Sequence, residues 1–140
     1  MQSMLTNYKC PMTNYIPELK LKQLRYEIDT WKRLLAFMME ENVHLKNRIS
    51  EILKDKFDKN WLEKVEYFQS SFITQDQLIG ILRNDVAIVE KLLMLEQYED
   101  DRIISQIGAR LKKIRGNIIA AERQFGILKM EFNSYLLENR

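Results

Sequence analysis

From Leu21 onward the chain repeats apolar residues at spacings that alternate between three and four. Leu21, Leu24, Ile28, Trp31, Leu35, Met38, Asn42, Leu45, Ile49 and Ile52 occupy successive a and d positions of a heptad that starts with Leu21 at a, and Asn42 alone is polar. A second track runs Trp61, Val65, Phe68, Phe72, Gln75, Ile79, Leu82, Val86, Val89, Leu93. A third runs Ile104, Ile107, Leu111, Ile114, Ile118, Ala121, Phe125, Leu128, Phe132, Tyr135. A helix that shields a narrow stripe against neighbouring helices produces this pattern. No period-two alternation competes with it, so the chain is expected to be all-α.

Two polar breaks separate the tracks, Lys54 to Asn60 and Glu96 to Asp101. Asp58 or Asn60 can cap one new helix and Asp100 or Asp101 the other, where a carboxylate also complements the positive helix end. Both breaks are short, which makes sequential helices antiparallel neighbours. The expected architecture is an elongated antiparallel three-helix bundle, up-down-up, with coiled-coil-like packing and helices at about 18–56, 60–97 and 101–138. Residues 1–17 read as a flexible tail, because Pro11 and Pro17 are the only prolines and 18–140 forms one helical domain without them. Thr74 with Gln77, flanked by Ile73 and Leu78, has the form of a capping box with a hydrophobic staple. The second helix is therefore expected to be kinked there, with a break into 59–72 and 75–98 as the alternative.

The second helix holds more apolar surface than its a and d sites require. Leu78 and Leu92 fall at g, and Ile81, Ile88 and Leu95 at c, on an arc contiguous with a and d and interrupted by Asp85. Two readings stand open. Either this helix is wedged between its neighbours and buries the surplus, or the c/g stripe is a second seam for another copy or another protein, since soluble monomers rarely leave such a patch uncovered. The first helix adds Phe37, Met39, Val43, Leu53 and Phe57 off its main track. Asn42 at an a site is a candidate for setting register, a role a lone polar core residue plays in coiled coils, and Gln75 is a candidate for the same part.

Composition narrows the classes. The 140 residues are 46% hydrophobic and 30% charged, which suits a folded domain. The net charge of +2 does not resemble a nucleic-acid-binding chain. Charge is segmented: residues 1–57 carry ten basic against seven acidic, 58–98 four against seven, and 99–140 eight against six. An acidic middle between two basic flanks suits a stack of hairpins. One cysteine, Cys10, excludes an internal disulfide framework. No signal-like or membrane-spanning apolar run occurs, so a cytoplasmic location is expected, with neither nucleic acid nor membrane as the expected partner.

Candidate chemistry is sparse. His44 is the only histidine, and Glu41 with it makes Glu-x-x-His, a spacing used by di-iron bundles. Such sites need a second pair and more carboxylates, and Glu41 at g with His44 at c points toward the bundle exterior. Phosphotransfer histidines carry leucine two and lysine three residues downstream; here Leu45 and Lys46 come one residue too early. Gly80, Gly108, Gly116 and Gly126 are scattered singly and form no phosphate loop. Gly108 and Gly116 either permit close helix approach or lie outside and soften the helix. Arg110, Lys112, Lys113 and Arg115 form the densest basic cluster, yet consecutive helical residues ring the axis and no aromatic interleaves them.

The layout of three long tracks joined by short breaks is similar to spectrin-type three-helix repeats, with longer helices here, and no residue role follows from it. The sequence leads to a non-catalytic helical interaction or assembly module, with no cofactor and no metal. It is expected to self-associate, as a dimer before larger assemblies, or to dock a protein partner through Leu78, Ile81, Ile88, Leu92 and Leu95. The alternative is an anion-binding module that uses the basic cluster on nucleic acid or acidic membrane.

Overall fold

A computed structural model describes residues 16–55, 59–94 and 101–139. It contains α1 (Glu18–Asp55), α2 (Lys59–Leu93) and α3 (Asp101–Glu138), and no strand among the described residues. At 1.5 Å per residue the 38-residue α1 is about 57 Å long, so the molecule is a rod. Pro17 stands just outside α1, and its carbonyl accepts the Leu21 amide at 2.9 Å, which begins the helix without asking the proline for a donor. Glu18 in the first turn of α1 and Lys54 in its last complement the two ends of the helix dipole.

Every a and d residue of the three tracks is buried or half-buried. α2 packs closely on both neighbours, whereas the backbones of α1 and α3 approach each other at far fewer positions. Two rows of side chains fix the directions. Lys32, Met39 and Lys46 of α1 meet Glu90, Arg83 and Asp76 of α2, so each forward step of one heptad in α1 is a backward step in α2. Those are e-to-e pairs of antiparallel helices. Glu27 and Glu41 of α1 meet Arg115 and Lys129 of α3, advancing together as g-to-e pairs do in parallel helices. The bundle is up-down-up.

α2 is continuous through Ser70–Thr74, so the alternative of two separate helices is corrected. The Thr74 hydroxyl does not cap. It donates to the Ser70 carbonyl at 3.0 Å, and Ser71 does the same to Tyr67 at 2.9 Å. Mid-helix hydroxyls satisfied in this way leave the backbone ladder intact. The heptad residues Phe72 and Gln75 on either side are buried, and that tertiary packing outweighs the local capping signal.

The core has two parts. The larger joins Leu24–Met38 of α1 with Ile79–Leu93 of α2 and Ile107–Phe125 of α3. The smaller, rich in aromatics, gathers Ile49, Val65, Phe68, Phe72, Leu128 and Phe132. Phe132 stacks edge-on against Phe68 and Phe72, with ring centroids 5.1 and 5.4 Å apart. Between the two parts lies a polar layer containing the buried residues Asn42 and Gln75.

Candidate functional site

The polar layer is the most specific polar contact between α1 and α2. Asn42, fully buried, donates from Nδ2 to the Phe72 carbonyl at 2.8 Å and to Asp76 Oδ1 at 2.5 Å. Asp76 also pairs with Lys46. One amide therefore reads both the backbone and a side chain of the facing helix, a match that a slip of one heptad would lose. The Asn42 Oδ1 and Gln75 Oε1 atoms are buried without a donor among the described residues, a cost to stability.

The rims of α1 are closed by charge. Arg115 holds Glu27 through two bonds, Nε to Oε2 at 2.8 Å and Nη2 to Oε1 at 2.7 Å. The guanidinium also lies 6.0 Å from the Trp31 ring centroid. The hydrogen bonds from Arg115 draw the Glu27 carboxyl below its ordinary range and raise the guanidinium above its own. Lys129 pairs with Glu41 on the same rim, and Lys32 with Glu90 on the other at 3.0 Å.

The α2–α3 side is different. From Tyr67 to Ile88, no ion pair closes this seam among the described residues. Ile81 is 60% exposed and Ile88 36%, both at c on the outer side of α2. Tyr67, two heptads before Ile81, is half exposed and lines a groove with Ile127 and Met130 of α3. That groove continues past Ser71 and Thr74 to Gln124. Of the five aliphatics proposed from sequence, the structure leaves two open. Leu78 and Leu92 are half-buried against the larger core part, as a helix wedged between two neighbours requires. Leu95 lies outside the described residues, as do Phe57 and Cys10. Tyr67, Ile127 and Met130 complete the face; sequence reasoning missed them because they sit on two helices whose mutual register was unknown.

The basic cluster is divided. Arg115 is committed to Glu27, while Arg110, Lys112 and Lys113 are exposed on other sides of α3. Glu41 is committed to Lys129 and His44 is exposed, so the Glu-x-x-His pair does not converge. No group of three or more potential metal ligands exists among the described residues. Phe37 and Val43 of α1 are exposed, and Met39 and Leu53 pack on the core. None of the described helices is long and apolar enough to cross a membrane.

No family model matches the chain, and neither a curated protein nor a solved structure matches it.

Proposed function

We propose that this protein is a non-catalytic helical assembly module that engages a protein through the outer face of α2 and its groove with α3. The observation that carries the reading is the exposed row Tyr67, Ile81 and Ile88 on α2 together with Ile127 on α3. Large aliphatics placed in one strip gain free energy when a partner removes them from water, about 25 cal/mol per Å². The same bundle closes the rims of α1 with ion pairs, whereas the α2–α3 seam has none from Tyr67 to Ile88 among the described residues. Anion binding through Arg110, Lys112, Lys113 and Arg115 is less well supported, because the cluster does not form one stripe.

The test places a photo-cross-linking amino acid at Ile81 in the full chain, expressed in its native cells, with Tyr26 on α1 as the control position. Adducts from Ile81 that vanish in an Ile88→Glu background, with helicity by circular dichroism unchanged, are expected. Equal adducts from both positions, or none from Ile81, would remove α2 as the docking surface.

A further inference from the structure

Resting on that reading of the α2–α3 face, we infer that its occupant is a second copy of this chain, laid antiparallel across it. Charge is distributed unevenly around the strip. Toward the end where α2 begins and α3 finishes, the exposed charged residues beside the strip are Glu63, Glu131 and Glu138 against Lys64. Toward the opposite end they are Lys91, Arg110 and Lys113 against the half-exposed Asp85. None of these named residues is engaged in an ion pair among the described residues. The face is thus acid at one end, apolar in the middle and basic at the other.

A surface of that kind is its own complement when turned end for end. A two-fold axis lying in the interface, perpendicular to the rod, sets α2 against α2 and α3 against α3, each pair antiparallel. Centred beside Leu78, midway along the row from Tyr67 to Ile88, it carries Arg110 and Lys113 of one copy to Glu131 and Glu138 of the other. On α2 it carries Glu63 close to the neighbouring copy's Lys91. A parallel dimer sets acid on acid and base on base, and like-charge juxtaposition across an interface is costly. The strip is roughly 30 Å long and 20 Å wide on helix dimensions, about 600 Å² per copy, at the small end of stable dimers. Charge at both ends therefore decides the geometry.

Mass in solution by sedimentation, at low salt, tests this on the full chain. The wild type is expected to be a dimer that weakens as salt rises. Arg110→Glu with Lys113→Glu makes both ends acidic, and Glu131→Lys with Glu138→Lys makes both basic. Each double variant alone is expected to dimerise more than about tenfold more weakly. An equimolar mixture of the two should recover a heterodimer of near wild-type strength, seen by native mass spectrometry. Gln124→Cys in a Cys10→Ser background provides a separate check, because residue 124 lies near the proposed axis. A short bis-maleimide should join it to its own copy but should not join Ser134→Cys, exposed and ten residues from the axis, hence about 30 Å from its counterpart; a parallel dimer, which holds equal positions level, would join both. A monomeric wild type, a mixture no tighter than its components, or no cross-link from Gln124→Cys would each overturn the antiparallel dimer. A monomer that still gives Ile81 adducts to another protein leaves the module reading standing; a monomer with no Ile81 adducts ends both.

Discussion

Asn42 shows how one side chain can specify an arrangement while costing stability. Its two amide hydrogens are used on α2, but its oxygen is buried unpaired. Asn42→Leu should raise the unfolding free energy by about 1–3 kcal/mol, the usual cost of such a group. It should also split or broaden amide resonances in a ¹H–¹⁵N spectrum as the α1–α2 pairing loses its unique alignment. A stability loss of that size, with one sharp set of resonances, would remove the register role. Glu27 gives a pH-dependent counterpart. Its folded pKa is depressed, so its contribution is fully present above the ordinary carboxylate value of about 4.3 and fades as pH falls through the lower folded value. Glu27→Gln should lower stability by about 0.5 kcal/mol at neutral pH. Its melting temperature should converge on that of the wild type in acid, and a gap that persists there would point to lost packing instead.

At the scale of the helix, the heptad tracks were readable because burial follows a fixed period whatever the partner. The a and d residues from Leu21 to Tyr135 needed no knowledge of neighbours. The face on α2 did, since Leu78 at g and Ile81 at c look equally apolar in sequence. Only the close approach of α3 buries the first and spares the second. Thr74 misled for the opposite reason: its capping pattern is local, and a buried Phe72 and Gln75 overrode it. The glycines resolve a choice that spacing left open. A methyl group added at Gly108 or Gly116 meets nothing within 4 Å, so neither mediates close approach. Gly108→Ala and Gly116→Ala should each stabilise the protein by up to about 1 kcal/mol in urea titrations. A loss in either would reveal a contact at that position.

On the scale of the whole molecule, the aromatic end rests on few residues. Phe132 is fully buried between Phe68 and Phe72, and Phe132→Ala should cost about 3–5 kcal/mol in denaturant unfolding. Ile119 is exposed on the same helix, and Ile119→Ala should change stability by less than about 0.5 kcal/mol.

The amide layer at Asn42 and Gln75 divides the apolar interior, and a divided interior need not come apart all at once. Rupture of the aromatic segment would free the far stretches of all three helices while the remaining two-thirds of the rod stayed wound. Native-state hydrogen exchange would register this as a shared, lower opening energy for backbone amides near Ile49, Phe68 and Phe132 than for those near Leu35, Leu82 and Ile114. A rod built this way has a preferred place to fray, and it lies at the acid end of the strip.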